Sequence, residues 1–247
     1  MKNIAAVVLA AGEGTRIKAR NRNKVTFLLA GKPMIWYSVK TIKNVGIKKI
    51  VVVVKFKAES VKKALGNSVE YSLQGEKKGT AAALEDGIKN IKLPIDKVLV
   101  IYGDDSAFYT PELLKFIVDE HQKHLAKVTI LSIKVADPTG LGRIVRSPNG
   151  GIKEIVEEKV ATEEEKKITE INTGCYCFDL DFLKKRLPEI EINPTSQEYY
   201  LTDIVDVALK NMEKVHVCLY PDAAVWFGVN NRSQWARAGL LKVKQNK

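Results

Sequence analysis

Five short apolar runs, Ile4 to Leu9, Lys49 to Val54, Val69 to Leu73, Val98 to Tyr102 and Val128 to Ile133, alternate with stretches of helical period. Runs of that length, predominantly apolar, suit strands largely buried in a sheet, and helix-length spacers imply parallel connections. The helices are placed after Pro33, Ala58, Gly79 and Pro111, and in the last Leu113, Leu114, Ile117 and Val118 set the period with Pro111 in the first turn. The pattern predicts an α/β protein: a Rossmann-like, mostly parallel sheet with right-handed crossovers and helices on both faces. Ligands of such sheets bind beyond the carboxyl ends of the strands.

From Arg143 to Asp179 the pattern turns strand-rich, with Ser147-Pro148-Asn149-Gly150-Gly151 as a hairpin turn. A smaller, partly antiparallel lobe leaning over the sheet edge is therefore expected. Helices near Thr202 to Asn211 and Asn231 to Val243 should close the chain, with Thr202 or Asp203 as a cap. The 247 residues carry no Pro-, Gly- or Ser-rich linker and no internal repeat, so a single domain is expected over 1–247. Its two parts are expected over about 1–110 and about 111–247.

Composition narrows the class. Hydrophobic content of 45% and charged content of 28% are those of an ordinary globular protein. The longest apolar stretches fall far short of the ~20 residues a membrane helix needs. The first strand runs straight into a glycine turn rather than to a small-residue cleavage site, so no signal peptide is read and a cytoplasmic location is expected. Cys175, Cys177 and Cys218 lack metal-site spacing and are read as buried thiols, the first two on one side of a strand. The net charge of +11 raises nucleic acid as a partner. The lysines are dispersed as pairs without aromatic interleaving, so neither nucleic acid nor membrane is expected.

The first strand ends in Leu9-Ala10-Ala11-Gly12-Glu13-Gly14-Thr15-Arg16 and leads through a basic loop to Lys24. A strand feeding a glycine-rich turn lets backbone N–H groups approach a polyphosphate, and Arg16 and Lys24 add charge to the same place. Two better-known signatures fail. A dinucleotide fingerprint needs glycine where Ile17 stands, and Gly-Lys-Ser/Thr occurs nowhere. Alone, the turn reads equally well as a surface connection between strand and helix.

Further segments follow in order: Gln74-Gly75-Glu76-Lys77-Lys78-Gly79-Thr80-Ala81, Tyr102-Gly103-Asp104, Gly140-Leu141-Gly142-Arg143-Ile144-Val145, Glu157, Glu170-Ile171-Asn172-Thr173-Gly174, Tyr199-Tyr200-Leu201-Thr202-Asp203 and Gly228-Val229-Asn230-Asn231. With the glycine turn they resemble the sugar-phosphate nucleotidyltransferases, most narrowly the uridylyltransferase domain of the bacterial bifunctional enzyme that makes UDP-N-acetylglucosamine. The resemblance runs from about Ile4 to about Ala236.

The resemblance implies Mg2+-dependent transfer of UMP from UTP to N-acetylglucosamine 1-phosphate, with pyrophosphate released. Such transfers rest on positioning and charge neutralisation rather than a covalent nucleophile. Leu9, Ala10, Ala11, Gly12, Gly14 and Thr15 would hold the nucleotide. Arg16 would grip the departing pyrophosphate, and Lys24 would bridge the sugar phosphate and the α-phosphate. Gln74, Gly79 and Thr80 correspond to the pyrimidine pocket, with Thr80 also suited to cap a helix. Tyr102, Gly103, Gly142, Glu157 and Asn172 match the sugar-binding positions, although Glu157 by its neighbours would pass for an exposed charge. Asp104 and Asn230 match the metal ligands. Asp105 should face away, since consecutive strand residues point to opposite faces, and the same acidic pair also reads as a strand-ending turn.

Three departures stand out. Asn23 occupies the place where the family usually has proline before its lysine, and the loop from Arg16 is one residue longer, which predicts a more mobile loop. Asp105-Ser106-Ala107 replaces a more apolar sequence. No hexapeptide repeat is present, so the left-handed β-helix acetyltransferase half is expected to be missing and glucosamine 1-phosphate not to be acetylated. Two other readings stay open: the same chemistry on glucose 1-phosphate with UTP or dTTP, and a catalytically silent nucleotide-sugar sensor.

Overall fold

A computed structural model describes residues 1–245. The first half reads β1 (Ile4–Ala10), the short pair β2 (Leu28–Leu29) and β3 (Lys32–Pro33), α1 (Met34–Asn44), β4 (Lys49–Val54), α2 (Ala58–Leu65), β5 (Glu70–Leu73), α3 (Thr80–Ile88), β6 (Lys97–Tyr102) and α4 (Pro111–His124). The second half reads β7 (Val128–Lys134), the hairpin β8 (Arg143–Arg146) and β9 (Ile152–Val156), α5 (Glu163–Lys166), β10 (Glu170–Asp179), α6 (Leu180–Arg186), α7 (Ile204–Lys210), β11 (Val215–Leu219) and α8 (Arg232–Gln245).

The main sheet runs β11-β7-β10-β6-β1-β4-β5. Parallel ladders join β1 to β4 and β6, β4 to β5, and β7 to β11. The period-2 alternation of strand side chains divides the core into two layers. Ala5, Val7 and Leu9 of β1 meet α3, α6 and α7 on one face, while Ile4, Ala6, Val8 and Ala10 meet α1, α2 and α4 on the other. A third cluster around Met34, Phe108, Val229 and Ala238 seats α8 beside the β2–β3 pair.

The expected small antiparallel lobe is present as the β8–β9 hairpin, which joins β10 at Arg143 and Ile171; the long β10 itself lies in the main sheet, antiparallel between β6 and β7. Cys175, Tyr176, Cys177 and Phe178 of β10 are all fully buried, and four consecutive apolar residues have no solvent face to offer a lobe. Cys175, Cys177 and Cys218 are free and buried, as expected; Cys175 and Cys177 share one core layer, as their spacing predicts, and Cys218 joins them there. Burial pushes all three thiols up, Cys218 to about 12, which keeps them protonated. Asp203 precedes α7 but makes no side-chain cap, so that expectation fails. Among the described residues, no helix is long and apolar enough to cross a membrane.

Candidate functional site

The carboxyl ends of β1, β4, β5 and β6 open into a cavity of about 500 Å³. Its wall gathers Leu9, Ala10, Ala11, Gly12, Gly14, Thr15, Arg16, Lys24, Gln74, Gly79, Thr80, Tyr102, Asp104 and Asn230 from five separate stretches of chain. Among the described residues, no protein acceptor takes the backbone N–H of Gly12, Glu13 or Gly14, so these donors are open to a ligand. Gly14 lies at φ +62, and a Cβ there would sit 3.0 Å from Cβ of Lys24. Glycine thus permits both the left-handed turn and the close return of the lysine.

Between Arg16 and Lys24 the loop is pinned rather than loosened. Asn23 is buried, and its amide donates to the carbonyls of Ala10 (2.9 Å), Gly12 (3.3 Å) and Phe56 (2.9 Å). Its Oδ1 accepts from Val25 N, and its own backbone N–H donates to Ser60 Oγ at 2.9 Å. With φ −66 and ψ 143, its backbone lies where proline would lie. The expected mobility is therefore corrected: five hydrogen bonds do what a pyrrolidine ring does elsewhere.

Lys24 forms an ion pair with Asp104 Oδ2. Asp105 turns the other way, toward Gly228, and its Oδ1 is buried without a partner. Burial, then the neighbouring Asp104 charge, holds the Asp105 carboxyl well above the usual carboxylate range. Asn230 enters from the turn before α8, its backbone N–H donating to Gln234 Oε1 at 2.7 Å. Gly103 N–H donates to Leu9 O at 3.0 Å, tying the ends of β1 and β6 together beneath the cavity.

Gln74 donates both amide hydrogens to carbonyls, those of Lys77 (2.9 Å) and Gly79 (3.3 Å), so an acceptor is what it offers a ligand. Gly79 sits at φ +104, and a Cβ there would lie 2.2 Å from Tyr199 O. Glycine therefore makes room for the Tyr199 backbone at this position. Gly79→Ala is expected to lower stability by at least ~1–3 kcal/mol, read from the urea midpoint at unchanged slope. Thr80 is no cap: α3 has no side-chain cap, and Thr80 Oγ1 accepts from Leu201 N at 2.9 Å.

Gly142, Glu157 and Asn172 lie together beside the cavity rather than in its wall. A Cβ at Gly142 would stand 3.4 Å from Glu157 Oε1, and Gly142 O accepts from Asn172 N at 2.9 Å. The β10 register shifts between Asn172 and Tyr176, and the Asn172 amide donates to the Tyr176 hydroxyl at 2.6 Å. The surrounding protein pushes the Glu157 carboxyl up, with Arg143 and Arg16 opposing. Lys55, Lys78 and Glu198 also line the cavity and were missed. Lys55 ends a parallel strand and Lys78 precedes Gly79, which are readable signals. Glu198 has none, because hydrogen bonds between the 199–201 segment and Lys78, Thr80 and Ala81 bring it there.

The family model for nucleotidyl transferase matches residues 5–238. The chain belongs to that family. It is 40% identical over 243 residues to the bifunctional protein GlmU of Bacillus licheniformis, covering 98% of this chain and 53% of that protein. GlmU of Bacillus subtilis is 38% identical, with the same coverage. The chain thus spans about half the length of the curated relatives it matches. Among solved structures, a putative glucose-1-phosphate thymidylyltransferase from Bacillus anthracis, in complex with a sucrose, superposes with a TM-score of 0.78 at 25% identity, over 97% of this chain and 95% of that one.

Proposed function

We propose that the protein transfers UMP from UTP to N-acetylglucosamine 1-phosphate, releasing pyrophosphate, with Mg2+ as cofactor. The observation that carries this reading is one cavity holding free backbone N–H groups, Arg16, Lys24, Asp104 and the Gln74 acceptor together. An acceptor at Gln74 suits the N3–H of uracil or thymine, whereas cytosine presents an acceptor there. The GlmU relatives favour N-acetylglucosamine, while the thymidylyltransferase neighbour keeps glucose 1-phosphate with UTP or dTTP as the second reading.

The sugar phosphate oxygen attacks the α-phosphorus, and the bond to the bridging oxygen breaks with its electrons leaving on pyrophosphate. Gly12 to Gly14 cradle the phosphates, Arg16 holds the departing pair, and Lys24 moves from Asp104 onto the α-phosphate. Glu157, Asn172 and Gly142, with Tyr102 and Gly103 at the border, face the sugar. Asp104 and Asn230 fit a hard divalent cation: both are oxygen donors, and Asp104 already holds a cation in the Lys24 ammonium. Bound there, Mg2+ would neutralise phosphate charge. The substrates are small molecules, and we place the reaction in the cytoplasm, where free buried thiols persist.

Pyrophosphate release on mixing with UTP and N-acetylglucosamine 1-phosphate is expected, lost with EDTA and restored by Mg2+. Tight UDP-sugar binding with no pyrophosphate under any substrate pair would instead make the protein a sensor.

A further inference from the structure

Away from the cavity, Glu120 and His124 lie one turn apart on α4, facing His216 of the edge strand β11. Both imidazoles point Nε2 at one oxygen, Glu120 Oε2, at 3.0 Å from His216 and 3.4 Å from His124. The other oxygen, Oε1, is taken by Lys123 at 3.0 Å. The rings stack at 3.9 Å, 13° from parallel. All three ligand atoms lie within 4.8 Å of one another.

We propose that Glu120, His124 and His216 form a binding site for a zinc-class divalent cation, clamping the C-terminal turn of α4 to β11. Two imidazoles and one carboxylate are a donor set that zinc favours, and a water completes the tetrahedron. Ligand bonds of about 2.0–2.2 Å place such donors roughly 3.3 Å apart. The existing spacing therefore needs only a small closure, with the ring stack opening so that each ring plane contains the ion. His124 is partly exposed and free to make that turn. As they stand the rings aim Nε2 at a carboxylate acceptor; on metal binding the ring proton would move to Nδ1, so that Nε2 gives the ion its lone pair.

The clamp has a structural consequence. β11 bonds to β7 alone, and beyond it the chain continues to Asn230; α4 follows the loop that starts at Asp104. An ion binding only the folded state would raise its stability by mass action.

Zn2+ binding to the metal-stripped full chain, measured by competition with a chromophoric chelator in excess Mg2+, tests the site. Asp104→Asn is measured in parallel to remove a contribution from the cavity. The expected result is one Zn2+ per chain, retained in Asp104→Asn, weakened at least about tenfold in His216→Ala and in the solvent-facing His124→Gln, with a rise in Tm lost in both histidine variants. Co2+ should give a visible tetrahedral spectrum that those variants abolish. Equal Zn2+ affinity in wild type and both histidine variants, or loss of all binding in Asp104→Asn, would overturn the proposal. So would no retained Zn2+, leaving a carboxylate hydrogen-bonded to two histidines only.

Discussion

Asp104→Asn is expected to lower kcat at least ~100-fold at saturating Mg2+, comparable to the loss of one strong electrostatic contact. The substitution removes a negative charge where phosphates, a lysine and a cation must balance, and it frees Lys24 from its partner. Asp105→Asn should cost less than ~10-fold, because its side chain lies against Gly228 and forms no part of the cavity wall. Its effect on stability has the opposite sign. A carboxyl raised in the folded state stabilises fully below its unfolded pKa of ~4 and loses that contribution as pH climbs through its folded value. Asn carries no charge, so the variant should gain on wild type as pH rises. Urea unfolding at about pH 5 and about pH 8 should show the gap widening. Equal kinetic losses at both aspartates would mean that they share the site.

Asn23→Asp is expected to be the most damaging isosteric change in the protein. It puts a carboxylate where three carbonyls accept hydrogen bonds, and leaves buried acceptors facing a negative charge. Loss of at least ~3 kcal/mol follows, together with a fall in kcat as the loop that carries Lys24 loosens. Asn23→Ala should be milder, about 2 kcal/mol, since it leaves acceptors unpaired without adding charge. Asn23→Pro keeps the backbone angle but loses the amide bonds and the N–H to Ser60, so it should not restore wild-type stability. Chemical denaturation and steady-state kinetics on the three variants check the order. Wild-type behaviour in Asn23→Asp would show that the amide does not hold the loop.

Those two positions mark what the sequence reveals and what it conceals. The β1 turn, Arg16, Gln74 and Asp104 were legible because strand, turn and chemistry are contiguous, and parallel strands present their carboxyl ends to one side. Asn23 was misread because its value lies in partners 11 to 33 residues away, which no local propensity reports. The cap role read for Thr80 was misplaced for the same reason: Thr80 and Gly79 both meet the 199–201 segment, more than a hundred residues on. The strand-rich run was seen, yet β10 pairs inside the main sheet, since period and length cannot say which neighbour a buried strand will choose.

Initial rates of pyrophosphate release across N-acetylglucosamine 1-phosphate and glucose 1-phosphate, each with UTP and dTTP under Mg2+, test the proposed reaction most directly. The expected result is the highest kcat/KM for UTP with N-acetylglucosamine 1-phosphate. Fastest turnover with glucose 1-phosphate, on either nucleotide, would contradict it.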